Sequence, residues 1–548
     1  MSSEPTATAT ARAAGEAAPP PTTSGRAVAR NTAIFSIATG LSRIAGLVRE
    51  IVASSYFATS GAFSAFTIAF QVPNVLRSLF ADAALSAAFV PVFTELLEQG
   101  RRKEAFRLAS TLFFLILTVL GAIMAVFVVA APVVMPLFTG DTFSAQLDQL
   151  TVGLSRVLFP VVVLLGLNGR LVGILNAYDH FTIPALSPLV WNLVIVVCLI
   201  GSNQILSGDE QLYGYAVGIL AGTAVQFAMA VPQLSRLGFR LQVSFHFRDP
   251  RVRKVLLLML PVTIGLGLIN FNLLINSTLG SLVSDQAARA IDAAFRIYML
   301  PQGMFSVAIA TVLFPALSRL AAHKDLDGLR ALTANGMRQV FLLLLPAAAA
   351  TLALATPITR LIYQHGAFGP GSTELVSSAL FWFSFSLPFS GVNLLLTRTF
   401  FSLQRPWITT GIAALNLGVN VAVSVALYKP FGIPGIVVGT AASSAAMTFA
   451  QIHYLRRELH GRLEGRRTAV DVAKMLVASA LLGAVSYGTW KVLDEALGRG
   501  LLGQILSVGG GLTLGAVVYA LTVHLLRIPE ARQIERLLAG RLLRRDKR

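Results

Sequence analysis

From residue 31 to residue 527 the chain is a succession of apolar runs. Each is about 20 residues long, the length that crosses a hydrocarbon core of about 30 Å. Inside such a core no water satisfies the backbone, so only helices and closed barrels can span it. A barrel would show short alternating segments, and these runs are long and continuous. Mean hydropathy is +0.70 and charged residues make up 13% of the chain, well below the roughly 25% of soluble proteins. The pattern predicts an all-α polytopic membrane protein with about fourteen transmembrane helices.

Charge asymmetry predicts the orientation. Loops after even-numbered spans are basic, as at Arg101, Arg102 and Lys103, and at Arg456, Arg457, Arg462, Arg466 and Arg467. The loops near Asp141 and Asp148, and near Asp209 and Glu210, carry no Lys or Arg. The positive-inside rule then puts both termini in the cytoplasm. It also accounts for the net charge of +18 without nucleic acid, which is not an expected partner. Residues 1–27, rich in Ala, Pro, Thr and Ser, read as a disordered cytoplasmic tail rather than a cleavable signal. Asp249–Pro250 reads as an N-cap followed by a first-turn proline, opening the seventh span. Cys198 is the lone cysteine, so no internal disulfide is expected, and the scattered histidines predict no zinc site.

The chain repeats at an offset of about 225 residues (Ala69 against Ala294). AFQVPN from Ala69 faces AFRIYML from Ala294, and the segment from Phe89 faces the one from Leu313. Pro160 precedes Arg170 as Pro388 precedes Arg398, and WNL at Trp191 matches LNL at Leu415. Parallel repeats of six spans are a transporter architecture with the site between lobes. The expected organisation is a first lobe (28–240), a second lobe (241–466), helices 13 and 14 (467–527) and a basic cytoplasmic tail (528–548).

Arg43, Arg49 and Arg77 fall inside apolar stretches. An arginine there costs roughly 2.5–3.5 kcal/mol on insertion scales. With few acids nearby, the economical explanation is a polar cavity that receives an anion. In the first span Ser42, Arg43, Arg49 and Glu50 form a polar stripe, with Gly46 allowing close approach. In the second, Asn74 and Arg77 lie one turn apart just beyond Pro73. In the eighth, Arg296 is followed by Pro301 and Gly303, a predicted helix irregularity. Guanidinium grips phosphate bidentately and stays charged at physiological pH. The competing reading makes these arginines interfacial, or pairs them with Glu50, Asp82 and Asp292. Arg156, Arg170 and Arg398 read as structural. No catalytic constellation or nucleotide loop appears, so the chain is expected to be a transporter and not an enzyme. Asn276, Asn416 and Asn420, with Thr440, offer oxygens for a hard cation; interhelical hydrogen bonding is the commoner use of such residues.

SRIAGLVRE from Ser42, AFQVPNVLRSLFADAALSAAFVPVF from Ala69 and GILNAYDHFTIPALSP from Gly173 closely resemble the MurJ/MviN family of lipid II flippases. That family belongs to the multidrug/oligosaccharidyl-lipid/polysaccharide exporter superfamily. The resemblance covers about residues 30–530. It implies fourteen helices in two lobes around a central cavity. It also implies alternating-access transfer of undecaprenyl-diphosphate-linked peptidoglycan precursor to the outer leaflet of the bacterial cytoplasmic membrane, for cell-wall synthesis. The family's essential cavity arginines fall on Arg43, Arg49, Arg77 and Arg296, with Ser42 alongside and Asn192 aligned with a fifth-span polar residue. Helices 13 and 14 are implied to hold the lipid tail, and Gly509, Gly510, Gly511 and Gly515 suit close packing there. Lipid II and membrane lipids are the implied partners, with cell-wall synthesis machinery a further candidate. The chain is expected to act as a monomer, without a bound cofactor, coupled to sodium or to membrane potential. Three departures stand out. Ser64 replaces a common acid, Met299 a common glutamate, and Asn276 and Asn420 stand where some members have sodium-binding aspartates. The alternatives are a flippase for another polyprenyl-linked glycan, or a cation-coupled drug antiporter, which should carry acids in its cavity.

Overall fold

The computed structural model describes residues 25–532, apart from residues 81, 179, 181, 240, 247 and 462. Most of the two tails therefore lies outside the described residues. Helix begins at Gly25, so the last three residues of the expected N-terminal tail are helical.

The first half of the chain folds as α1 (Gly25–Phe57), α2 (Gly61–Phe80), α3 (Asp82–Glu98), α4 (Arg102–Val134), α5 (Ala145–Leu158), α6 (Pro160–Ala177), α7 (Thr182–Ile205) and α8 (Glu210–Arg236). The second half runs α9 (Pro250–Val283), α10 (Ala287–Pro301), α11 (Val307–Ala322), α12 (Leu326–Ala353), α13 (Ala355–Tyr363), α14 (Pro370–Ser384), α15 (Leu387–Ser402), α16 (Pro406–Phe431) and α17 (Ile433–Glu458). Two further helices follow, α18 (Gly465–Leu497) and α19 (Leu501–Leu525). Among the described residues, 11 helices are long and apolar enough to cross a membrane, or 12 if the bent pair α14–α15 is one span. The first and second expected spans correspond to α1 and α2–α3, which carry the arginines and lie outside that count.

Local chemistry sets several boundaries. Asp249 caps α9 as expected, its Oδ1 accepting the Arg251 N–H at 2.8 Å, with Pro250 in the first turn. Pro301 and Gly303 mark a π-helical turn over Gln302–Ser306 that divides α10 from α11.

The packing pattern repeats like the sequence. In the first half α1 packs on α7, α2 on α5, α3 and α4 on α6, and α6 on α8. In the second, α9 packs on α16, α10 on α14, α11 and α12 on α15, and α15 on α17. The helical hairpins α7–α8 and α16–α17 correspond, and both are closed by small residues four apart. Gly214, Gly218 and Gly222 abut Ser202, Cys198 and Trp191. Gly435 and Gly439, followed by Ser443, bring α17 against α16 at Leu427, Ser424 and Asn420. Without a hydrophobic force between helices in lipid, close approach at small residues supplies the attraction. A Cβ on Gly435 would overlap the Leu427 carbonyl, which is backbone and cannot swing aside. Gly435→Ala should lower stability by about 1–3 kcal/mol, read as a fall in melting temperature in detergent.

The lobes meet along α9, which packs on α2 and α3, and where α10 packs on α2. The α18–α19 pair joins the second lobe, chiefly through α12. It is pinned by ion pairs, one of them fully buried. Arg338 on α12 meets Glu464 at 2.9 Å and the fully buried Glu530, and Arg360 meets Asp494. Within the pair, Gly511 and Gly515 face Ser486 and Leu482 closely, as the glycine-rich sequence suggested, whereas Gly509 faces open space.

Candidate functional site

The polar stripe on α1 splits three ways. Arg43 is exposed and its guanidinium lies against Gly303, in the π turn of the other lobe. Arg49 is half-buried over the Trp191 ring at 4.9 Å, and its Nε is buried with no protein partner. Asn192, one turn of α7 from Pro188, gives its amide to the Pro188 carbonyl at 2.9 Å and the Ser42 carbonyl at 3.4 Å, across from Gly46. Ser42 thus enters through its backbone. Glu50 turns the other way, into the lobe interface, where it is 3% exposed.

At that interface Glu50 meets two arginines of α10. Arg289 gives it Nη2, and Arg296 Nε lies 3.2 Å from its second oxygen. Asp292, between them on the same helix, takes Arg289 Nη1 and Arg296 Nε, each at 2.9 Å. Phe63, Phe66, Phe70 and Tyr215 wall the cluster, leaving a cavity of about 20 Å³. Beyond Pro73 on α2, Arg77 Nε donates to Asn74 Oδ1 at 2.9 Å.

Sequence placed Glu50 and Arg296 in the site and named Asp292 as a possible partner, but Arg289 went unnoticed. The available signal was the spacing of Arg289, Asp292 and Arg296 by three and four residues, which puts them on one helix face. The side chain of Asp82, another named partner, lies outside the described residues. Arg170, 1% exposed, donates Nη1 to its own helix at the Gly166 carbonyl, and Arg156 donates to the Val128 carbonyl. Arg398 lies over Phe314. Arg170 is thus held within its own helix, while Arg156 and Arg398 are held by neighbouring helices α4 and α11.

Asn276, Asn416, Asn420 and Thr440 do come together, with Asn272 as a member the sequence reading missed. Asn272 Nδ2 donates to Asn416 Oδ1 at 2.7 Å, and Asn420 Nδ2 donates to Asn272 Oδ1 and Asn276 Oδ1 at 3.0 Å each. Asn276 Nδ2 donates to Thr440 Oγ1 at 3.0 Å, and Ser424 donates to Asn420 Oδ1 at 3.3 Å. Every amide oxygen of the cluster already accepts a hydrogen, and among the described residues no carboxylate joins it. These bonds tie α9, α16 and α17 together, the commoner use of such residues in a membrane interior.

A separate groove of about 1220 Å³ runs between α12, α15, α17 and α18. Its walls are apolar, including Phe341, Leu345, Phe389 and Leu476, and Arg456, Arg466 and Arg467 stand at one end.

The sequence profile described as "Lipid II flippase MurJ" matches residues 53–507. A "Probable lipid II flippase MurJ" of Rhizobium tropici is 30% identical over 498 residues, covering 88% of this chain and 92% of that protein. One from Rickettsia prowazekii (strain Madrid E) is 27% identical, covering 91% and 98%. Among solved structures, "Lipid II flippase MurJ, inward closed conformation" superposes with a TM-score of 0.75 at 20% identity, covering 90% of this chain and 99% of that one. An inward-facing multidrug resistance MATE family transporter of the MOP superfamily gives 0.66 at 14% identity, covering 76% and 94%. These two likenesses carry the fold: a multi-pass, two-lobed helical membrane protein. The extent of the profile match carries more, and on it this chain belongs to the lipid II flippase MurJ family.

Proposed function

We infer that this protein is a transporter that flips lipid II from the inner to the outer leaflet of the bacterial cytoplasmic membrane by alternating access. The observation that carries the reading, beside family membership, is the placing of cationic groups across the lobe interface. Arg43 of the first lobe reaches the π turn of the second, and Arg296 of the second reaches Glu50 of the first. Arg49 adds a buried Nε that lacks a protein partner. A diphosphate entering between the lobes meets guanidinium from both sides, so its binding energy acts on their separation. Arg77, held by Asn74, completes the set named from sequence.

The orientation follows the basic loops, with both termini cytoplasmic. The groove beside α18 suits the polyprenyl tail, because its walls are apolar and its basic end suits a charged headgroup region. Both lobes and the groove lie in one chain, so a monomer is a complete device. Acids at the interface argue against a cationic drug as cargo, since Glu50 and Asp292 are each paired with arginine.

Membrane potential is the coupling candidate that fits these residues. Moving two negative charges outward across an inside-negative membrane gains roughly 4–5 kcal/mol per 100 mV. Among the described residues the amide cluster gives sodium no carboxylate, and its amide oxygens already accept hydrogen bonds. In reconstituted vesicles, lipid II translocation should rise with an inside-negative potential and keep its rate when potassium replaces sodium. A rate that collapses without sodium at fixed potential would overturn the coupling, and absence of lipid II translocation would overturn the function.

A further inference from the structure

The two arginines that share Glu50 are unequal. Arg289 is 1% exposed and both of its terminal nitrogens are engaged, while its buried Nε has no hydrogen-bond partner. Its guanidinium lies 4.0 Å from the Phe63 ring centroid, and it donates to Glu50, to Ser54 Oγ at 2.8 Å and to Asp292 at 2.9 Å. Its backbone N–H donates to Ser64 Oγ at 3.2 Å. Arg296 is 34% exposed and meets the same two carboxylates through Nε. One arginine is built into the interface, and the other stands at its edge.

Charge arithmetic gives this asymmetry a consequence. Two carboxylates and two guanidinium groups balance within the cluster. A buried carboxylate stripped of its partners is strongly disfavoured. If Arg296 were the sole partner of Glu50 and Asp292, it could not leave them for another anion. With Arg289 in place, both carboxylates keep a cation when Arg296 departs. Glu50 belongs to α1 and Arg296 to α10, so that departure also removes one of the two ion pairs joining these helices across the lobes.

We propose that Arg289 is the standing counter-ion of Glu50 and Asp292, and that it frees Arg296 to exchange from these carboxylates to a diphosphate, loosening the α1–α10 tie as the anion binds. Arg289 is a positioning residue here, acting through Arg296 without touching the substrate. The proposal rests on the reading of Arg296 as a diphosphate ligand given above.

The test measures binding of inorganic pyrophosphate to the purified full chain in nanodiscs. The wild type should bind, and Arg296→Ala should abolish most of that binding. Arg289→Gln should weaken it about tenfold, since Arg296 must then forgo a charge-assisted bond to the carboxylates in order to bind the anion. Adding Glu50→Gln to Arg289→Gln should restore affinity to near the wild-type value, because Arg296 is no longer needed by Glu50. A merely structural Arg289 would show the loss and its rescue as parallel changes in melting temperature, whereas the exchange moves affinity in variants that melt like the wild type. Arg289→Lys, which keeps the charge, should stay close to wild type and serves if Arg289→Gln does not fold. In that case a tenfold loss in the lysine variant would overturn the proposal. Unchanged affinity in Arg289→Gln, or a loss that Glu50→Gln leaves uncorrected, would also overturn it while leaving the flippase reading intact. A wild type that ignores pyrophosphate but flips lipid II would sink the exchange and spare the function.

Discussion

Arg296→Ala should reduce lipid II translocation in vesicles by about a hundredfold or more, because each charge-assisted bond to phosphate is worth about 1.5–3 kcal/mol and arginine makes two. Arg296→Lys should fall between, as an ammonium keeps the charge and loses the bidentate fork. The same ranking is expected when the variants replace a lipid II flippase in living cells, with membrane levels matched. Arg296 is chosen over Arg43 and Arg49 because it alone of these comes from the second lobe. Its loss leaves the second lobe only Arg289, which Glu50 and Asp292 hold, so an anion would bind without drawing on both lobes. The partner Arg289 remains to neutralise Glu50 and Asp292, which keeps the fold of the variant intact. Alanine variants with wild-type translocation would remove Arg296 from the site.

The largest stability effect is expected at Arg338. Its guanidinium, 3% exposed, meets Glu530, which is fully buried and has no other ion-pair partner among the described residues. Removing one member of a buried pair costs about 3–5 kcal/mol, since the remaining charge stays without compensation. Arg338→Ala should therefore lower the melting temperature sharply, and Arg338→Ala with Glu530→Gln should recover much of the loss. The pair also decides how α18 and α19 are attached, because Glu464, at the start of α18, shares the same arginine at 2.9 Å. Tyr519 on α19 adds a bond to the Leu342 carbonyl at 2.7 Å. A variant that melts like the wild type would show that this junction is not what holds the groove helices to the second lobe.

Much of the architecture was legible because it is written in local periodicity. Apolar length announced the helices, Asp249–Pro250 announced the start of α9, and Pro301 with Gly303 announced the π turn. The offset between Ala69 and Ala294 announced a duplication that reappears in the helix packing and in the paired small-residue seams of α8 and α17. The site was half legible. Arginine in an apolar span is conspicuous at any position, so Arg43, Arg49, Arg77 and Arg296 were found. Arg289 is equally conspicuous in composition but sits near a span edge, where a basic residue passes for an interfacial anchor.

By itself, the sequence determined the class of molecule, the duplicated lobes and which charges must be accommodated inside them, since hydropathy and repeat spacing are properties of neighbouring residues. Only the tertiary structure decided how each charge is accommodated. On one helix face Arg43, Arg49 and Glu50 look like a single stripe, yet they go to Gly303, Trp191 and Arg289, each on a different helix. An ion pair across 239 residues has no local signature. It exists because burial makes an unpaired charge too costly, and the fold alone says which partner is within reach.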